Sequence, residues 1–202
     1  MYTIGITGPT GAGKTTALQT LQTLGALTLD CDEIYHQMLT NNTEMTAEIE
    51  ARFKDVLTDG KVDRYKLGIQ VWDDPAALQE LNKITHSYIS DEVDRQIATF
   101  KAQGGLVAVV DAFALVESGQ SESCDTIVGV AAPFKDRVLR IMKRDGLTVE
   151  QAQVRIYAQP PESYYRETCD HILENTFETR AEFEKACTEF FTKLINTHVI
   201  NK

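Results

Sequence analysis

The sequence lacks the cysteine pairs that build zinc sites and disulfide frameworks. Its four cysteines are scattered along the chain, and no two of them form a Cys-x-x-Cys pair. Zinc sites and the disulfide scaffolds of small secreted domains both need cysteines in clusters or at regular spacings. We therefore expect reduced thiols and a cytoplasmic protein.

The sequence also lacks an apolar run close to the roughly 20 residues that a membrane-spanning helix requires. An apolar segment begins at Tyr2, which leaves no room for a leader peptide. Positive charge is scarce, because 20 Lys and Arg stand against 30 Asp and Glu, for a net charge of −10. Nucleic-acid backbones are bound through Lys and Arg. We expect neither a nucleic acid nor a membrane as a partner, and an anionic ligand needs a local basic site.

What the sequence does contain is enough for one packed domain, or one domain with a large insertion. It has 202 residues, of which 43% are hydrophobic, an ordinary value for a globular protein. We expect a monomer or a weak homo-oligomer.

Residues 8–15 read Gly-Pro-Thr-Gly-Ala-Gly-Lys-Thr and fit the P-loop pattern without a mismatch. Glycines let the backbone turn so that several N–H groups converge on phosphate oxygens. The lysine neutralises phosphate charge, and the following hydroxyl binds the Mg²⁺ that accompanies a nucleotide. An apolar strand precedes the loop and a helical pattern follows it, as a P-loop requires. The nucleotide-binding residues assigned here are Gly8, Pro9, Thr10, Gly11, Ala12, Gly13, Lys14, Thr15 and Thr16.

Two carboxylates, Asp30 and Asp32, follow the next predicted strand. Parallel sheets place ligands at the carboxyl ends of their strands, so one of these groups could accept a proton from a hydroxyl group. Aspartate is also a common helix cap, and capping alone remains an alternative for both residues. We expect Asp32 to be the general base and Asp30 to bind substrate.

From residue 41 to residue 104 the pattern is almost wholly helical, with a turn at residues 58–60, a helix start near Pro75 and no strand. This stretch is much longer than a parallel crossover needs, so it predicts a helical subdomain over the site. Residues 62–68 and His86 are its polar, substrate-facing candidates. His86 could equally be a structural histidine.

A nearly continuous apolar run at residues 105–110 predicts a strand buried on both faces. It ends in Asp111, a Walker B position that can orient Mg²⁺ beside Thr15 or contact substrate. Glu117 follows and is a candidate for the acceptor pocket.

A basic helix is predicted from Phe134 to Arg144. Arg140 and Arg144 lie one turn apart, and we assign the first to catalysis and the second to nucleotide binding, since a guanidinium can bond two phosphoryl oxygens at once. A capping box at Thr148 starts a second helix that carries Arg155, assigned to substrate. Lys135, Arg137 and Lys143 are interpreted as a solvated basic face.

Alternating strands and helices predict a three-layer α/β fold with helices on both faces of a parallel sheet. A last short strand at residues 171–175 and a terminal helix at residues 179–195 complete it. We predict a core of residues 1–40 and 105–202, which includes a lid at about 134–160, and a substrate subdomain of residues 41–104.

Taken together, these motifs resemble the dephospho-coenzyme A kinase family, in the same order and over nearly the whole chain. They are the P-loop, Asp30-Cys31-Asp32, residues 62–68 and 81–86, Asp111 to Glu117, Arg140 with Arg144-Asp145, Arg155 to Gln159, and Asp170 to Asn175. The resemblance implies a P-loop kinase with a five-stranded parallel sheet, a lid and a helical coenzyme A domain. It also implies transfer of the γ-phosphoryl group of ATP to the ribose 3′-hydroxyl of dephospho-coenzyme A, and a place for Asn175 at the nucleotide.

Three positions depart from the family's pattern, at His36, Ser87 and residues 113–115. All three lie toward the acceptor side of the resemblance. A divergent kinase for another alcohol therefore remains an alternative. A nucleotide-binding regulator without turnover is a third possibility, although such a protein needs neither Asp32 nor lid arginines.

Overall fold

The computed structural model of the chain describes residues 1–112, 115–116 and 119–200. The chain forms two compact units. The first, called here the sheet unit, comprises Met1–Leu29 and Thr99–Lys202, and the second, the helical unit, comprises Asp30–Ala98. The sequence-based assignment of residues 41–104 to substrate stays a prediction.

The helices and strands follow one another along the chain in a regular order. They are β1 (Tyr2–Thr7), α1 (Lys14–Thr23), β2 (Leu27–Asp30), α2 (Cys31–Asn41), α3 (Thr43–Arg52), β3 (Leu57–Thr58), β4 (Lys61–Val62), α4 (Arg64–Val71), α5 (Pro75–Ala102), β5 (Val107–Asp111), a 3₁₀ turn (Gln120–Ser123), β6 (Thr126–Ala131), α6 (Phe134–Asp145), α7 (Val149–Tyr157), α8 (Glu162–Thr168), β7 (His171–Glu174), α9 (Arg180–Ile195) and a π-helical turn (Asn196–Ile200).

The main sheet has five strands in the order β2-β5-β1-β6-β7. Strand β1 pairs in parallel with both β5 and β6, and β6 pairs in parallel with β7. All six residues of β1 are buried, because a central strand with helices over both faces has no contact with water. The predicted α/β fold with a five-stranded parallel sheet is confirmed, and the loop after β1 starts from the middle of the carboxyl edge.

Side chains alternate between the two faces of this sheet. On one face, α1 and α9 cover the strands, with Leu21, Phe183 and Phe191 at the centre of the core. On the other face the strands carry Gly5 and Gly129, where an added Cβ would lie 3.0 Å from the Cys124 sulfur and 2.9 Å from the Cys169 sulfur. A larger residue at either glycine would collide with these cysteines, so the two strands can pack on this face only with glycine at these positions.

The helical unit contains a feature that the sequence analysis predicted wrongly. Strands β3 and β4 form an antiparallel hairpin, whereas no strand was expected between residues 41 and 104. Its two-residue turn holds Asp59 at φ 52° and Gly60 at φ 75°. Asp-Gly is a strong signal for such a turn, because both positions need positive φ. The turn itself was predicted correctly, and its hairpin context was missed.

Helix α5 begins at Pro75, as predicted, and runs for 28 residues. The Asp74 carboxylate caps it by accepting hydrogen bonds from the amides of Ala76 and Ala77, each at 3.0 Å. Charged residues occur throughout the helix, so it has no long apolar run. In the part of the chain that the structure describes, no helix joins enough length to enough apolar character to cross a bilayer.

Candidate active site

The loop between β1 and α1 adopts a conformation that only glycine can supply at two positions. Gly8 has a φ of 151° and Gly13 a φ of 115°. A Cβ at Gly8 would lie 2.5 Å from the Val130 carbonyl oxygen, and one at Gly13 would lie 2.5 Å from the Asn175 amide nitrogen. Larger residues would push this loop off the sheet, so the glycines set its shape.

Side chains from two other elements hold the carbonyl oxygens of this loop. The Asn175 side-chain nitrogen donates to the Ala12 oxygen at 2.7 Å. Arg140 donates from Nη1 to the oxygens of Gly11 and Ala12 at 3.2 and 3.3 Å, and from Nη2 to the Asn175 Oδ1 at 3.2 Å. The hydrogen bonds from the Asn175 amide and the Arg140 guanidinium therefore hold the loop in place, and we call these two side chains the brace of the P-loop. Both residues were predicted for the site, and the structure brings them to the P-loop.

Lys14 and Asp111 form an ion pair, with 2.5 Å between Lys14 Nζ and Asp111 Oδ1. The pairing of β1 with β5 explains their proximity, because Ile6 and Asp111 are partners in the register. Asp111 is buried, and it was predicted as both a metal ligand and a substrate contact. The structure places it beside the phosphate-binding lysine.

A cavity of about 380 Å³ opens above the P-loop. Its lining combines seven residues of the P-loop with side chains from α6 and from the segment after α7. The residues are Gly8, Pro9, Thr10, Gly11, Gly13, Lys14, Thr15, Arg140, Arg144 and Gln159. The exposed Thr15 belongs to this lining, while Ala12 is fully buried and contributes its backbone to the brace. Thr16, at the start of α1, is not among the lining residues.

Asp145 joins two predicted arginines at the end of α6. Its carboxylate accepts from Arg144 Nε at 2.7 Å and from Arg144 Nη2 at 2.8 Å, and it also pairs with Arg155. The hydrogen bonds from Arg144, together with the charges of both arginines, lower the pKa of Asp145. Arg155 was assigned to substrate, yet this contact places it next to Arg144, which lines the P-loop cavity.

Two residues at the P-loop were missed or misread from the sequence. Arg137 is 5% exposed, and its Nε donates to the Thr10 oxygen at 2.9 Å. Its interpretation as part of a solvated face is wrong, although Lys135 and Lys143 are exposed. Gln159 accepts from the Thr10 amide at 2.7 Å. From the sequence, Gln159 was named only as the last residue of the Arg155 to Gln159 motif and was given no role.

The carboxylates Asp30 and Asp32 differ in what they bond. The Asp30 Oδ1 caps α2 by accepting from the amides of Asp32 and Glu33, at 2.9 and 3.1 Å. Asp30 therefore caps α2, while its assignment to substrate stays a prediction. The exposed Asp32 carboxylate has neither a hydrogen bond nor an ion pair within the described residues. Of the two, Asp32 keeps its oxygens available for an acceptor.

His86 lies half-buried on α5, in the helical unit. Burial lowers the pKa of His86 below its ordinary value of 6.5, so the imidazole is neutral at pH 7 and can accept as well as donate a hydrogen bond. His36 and Ser87, which depart from the family's pattern, are exposed in the same unit. Glu117 and Phe113 lie outside the described residues.

The residues present fit a magnesium ion that arrives with a nucleotide. Mg²⁺ takes one or two protein oxygens and completes its shell with phosphate and water. The Thr15 hydroxyl and the Asp111 carboxylate supply oxygens of this kind at the P-loop. Within the described residues there is no cluster of three or more acidic, histidine or cysteine side chains that could hold a metal alone.

Comparison with known proteins agrees with this geometry. A family model described as CoaE, dephospho-CoA kinase, matches residues 2–180. The dephospho-CoA kinase of Latilactobacillus sakei is 35% identical over 86% of this chain and 87% of its own length, and that of Thermobifida fusca is 33% identical over 96% of each chain. The solved structure of the Campylobacter jejuni dephospho-CoA kinase covers 95% of this chain and 96% of its own, with a TM-score of 0.70 and 26% identity. The chain belongs to the dephospho-CoA kinase family.

Proposed function

We propose that this protein transfers the γ-phosphoryl group of ATP to the ribose 3′-hydroxyl of dephospho-coenzyme A, the last step of coenzyme A synthesis. The observation that carries the proposal is the braced P-loop cavity with Lys14, Arg140 and Arg144 in its lining. Phosphoryl transfer depends mainly on positioning and on neutralising charge at the transferred group. These cations are arranged for that purpose in a chain of net charge −10.

In this proposal the nucleotide phosphates lie over the loop at the N-terminus of α1, where backbone donors and the helix dipole favour anions. Lys14 leaves Asp111 and binds the β and γ phosphates. Arg140 supports the loop, and Arg144 with Arg155 contacts the nucleotide. Thr15 and Asp111 hold Mg²⁺, which neutralises phosphate charge when it is bound.

Asp32 accepts or orients the proton of the attacking hydroxyl group, and Asp30, His86 and Glu117 belong to the acceptor side of the proposal. The available carboxylate of Asp32 supports its role, whereas Asp30 is engaged as a helix cap. A positioned base contributes roughly 10²–10⁴-fold to the rate. We place the activity in the cytoplasm, carried out by a monomer or a weak homo-oligomer.

The test is a panel of acceptors incubated with purified protein, Mg²⁺ and ATP. The panel contains dephospho-coenzyme A, adenosine, shikimate and gluconate, and a control incubation omits the acceptor. We expect a product 80 Da heavier from dephospho-coenzyme A alone, with ³¹P NMR locating the new phosphate on the ribose 3′-oxygen. Phosphorylation of another alcohol in preference would overturn the acceptor, and ATP binding without any product would favour a regulator.

A further inference from the structure

Helix α4 and its C-cap residue, Trp72, carry large apolar side chains that stay exposed. Tyr65 is 78% exposed, Ile69 63% and Trp72 85%. Steps of four and three residues place them on one side of the helix, while Leu67 is buried on the other side. We call residues 65, 68, 69 and 72 the outer face of α4. A contiguous exposed apolar surface of this kind marks a binding site more often than scattered single residues do.

Gly68 makes a gap in the middle of this outer face. It lies one turn from both Tyr65 and Trp72, and a Cβ built on it would meet no atom within 4 Å. A glycine inside a helix costs roughly 0.5–1 kcal/mol relative to alanine. Neither packing nor a positive φ requires glycine here, so its presence leaves open space on the helix surface between positions 65 and 72. This gap is wide enough only for a slim, linear part of a ligand.

Positive charge is concentrated at the start of the same helix. The helical unit has 15 acidic and seven basic residues, and five of the seven basic ones lie between positions 52 and 66. Arg52 pairs with Glu80, and Lys66 donates to the Leu57 oxygen. Arg64, which borders the outer face, forms no ion pair with the described residues. An anion is therefore drawn to the Arg64 end of the outer face.

The charge of Arg64 acts on the helix that carries the proposed base. Burial raises the pKa of the Tyr35 hydroxyl, and the charge of Arg64 opposes that rise. Tyr35 is on α2, three residues after Asp32. Taken from α2, the order is the helix of Asp32, then Arg64, whose charge acts on that helix, and then the outer face, which begins at the next residue.

This order matches the chemical order of one molecule, dephospho-coenzyme A, whose ribose is followed by a pyrophosphate and then by a slim pantetheine arm. We propose that the outer face of α4 binds the pantetheine arm, with the arm in the gap at Gly68 and the pyrophosphate on Arg64. The inference rests on the proposed function, and it assigns a site for the part of the acceptor that does not react.

A second copy of the chain fits the outer face less well. Aromatic side chains bury about 150–250 Å² each, so three residues supply less than the roughly 800 Å² that each partner buries in a stable interface. A two-fold interface also brings identical residues together, so it would place the unpaired Arg64 near its own copy. Size and charge both favour a small anionic ligand with a slim, partly apolar arm.

Trp72 is the chain's single tryptophan, so its fluorescence reports on the outer face alone. The protein is titrated without Mg²⁺ with dephospho-coenzyme A, with 4′-phosphopantetheine and with ADP, which lacks the arm. We expect the first two ligands to shift the emission to shorter wavelength and to reduce quenching by iodide, and ADP to do neither. A response to ADP alone, or to no ligand, would overturn the proposal. So would a shift that depends on protein concentration without ligand.

Kinetic variants keep the proposal separate from the proposed function. Gly68→Leu, which fills the gap, and Ile69→Ser should each raise the KM for dephospho-coenzyme A about tenfold and leave the KM for ATP unchanged. Leu78→Ser, at an exposed leucine on α5, is the matched control and should change neither. Circular dichroism confirms that each variant is folded. If the wild type phosphorylates dephospho-coenzyme A but both variants keep its KM, only this inference fails. If the wild type does not phosphorylate it, the proposed function fails.

Discussion

The two units of this protein differ in how their candidate functional side chains are bonded. In the sheet unit, Arg140 and Asn175 hold the P-loop carbonyls, and Lys14 is paired with Asp111. In the helical unit, Asp32 and Arg64 have no ion-pair partner within the described residues. Preorganised donors stabilise a transition state because they need no rearrangement during the reaction. The difference supports the proposal that the sheet unit holds a preorganised site for phosphate chemistry and that the helical unit recognises the acceptor.

The largest effect is expected from Lys14→Ala, which removes the main cation of the phosphate site. We predict a loss of about 10³-fold in kcat/KM, the upper range for removing one electrostatic group from an active site. ATP binding measured by calorimetry should weaken as well. Lys135→Ala, at an exposed lysine of α6, is the matched control. If Lys14→Ala kept the ATP affinity and the rate of the wild type, the sheet unit would not hold the phosphate site that we assign to it.

The next effect concerns Asp30 and Asp32, which differ in their hydrogen bonds. Asp32→Asn should lower kcat roughly 10²-fold, the low end for a general base, because phosphoryl transfer relies more on electrostatics. Asp30→Ala should instead lower the free energy of unfolding by about 1 kcal/mol through loss of the helix cap. Steady-state kinetics and urea unfolding on both variants distinguish these roles. A normal kcat in folded Asp32→Asn would end its assignment as base.

Arg140→Ala tests whether the brace beneath the P-loop is needed for the reaction. The substitution removes a donor from the Gly11 and Ala12 carbonyls and from the Asn175 side chain, and among the described residues only Ala12 keeps a second one. An unsatisfied buried acceptor costs about 1–3 kcal/mol of stability. We expect kcat to fall more than the KM for ATP rises, and the unfolding temperature to fall with it. Lys143→Ala, exposed on the same helix, should change none of these. A stable, fully active Arg140→Ala would show that the loop keeps its shape without the brace.

The smallest effect is a pH dependence in the helical unit. Burial lowers the pKa of His86 below 6.5. As the pH falls, the imidazole is therefore protonated in the unfolded chain at a higher pH than in the native protein. The contribution of neutral His86 to stability is therefore complete above pH 6.5 and decreases as the pH falls toward its lower native pKa. His86→Asn should lose less stability than the wild type between pH 7 and pH 5 in urea unfolding. If the free energy of unfolding fell equally with pH in the wild type and in His86→Asn, this prediction would be contradicted.

The sequence was sufficient where the chemistry is local. The P-loop, the helix start at Pro75, the capping box at Thr148 and the parallel sheet all follow from short patterns, and the structure contains each of them. The position of Asp111 was also predictable, because a strand end beside β1 brings it to the loop. Local backbone requirements therefore predicted most of the nucleotide side.

What the sequence could not supply depends on which surfaces tertiary packing covers. Arg137 and Lys135 both belong to the same charged run, and only contact with the P-loop buries the first. For the same reason the exposure of Trp72 could not be predicted, because large apolar residues in a helical pattern usually belong to the core. The Asp-Gly turn at residues 59–60, in contrast, carried a hairpin signal that the helical pattern around it obscured.

The division of the two substrates between the two units is tested most directly by crossed Michaelis constants. The KM for ATP and for dephospho-coenzyme A is measured in Asp145→Asn, which releases Arg144 and Arg155, and in Ile69→Ser on the outer face of α4. We predict that Asp145→Asn raises only the KM for ATP and Ile69→Ser only that for dephospho-coenzyme A. Two variants that raise the same constant, or both constants together, would contradict the division.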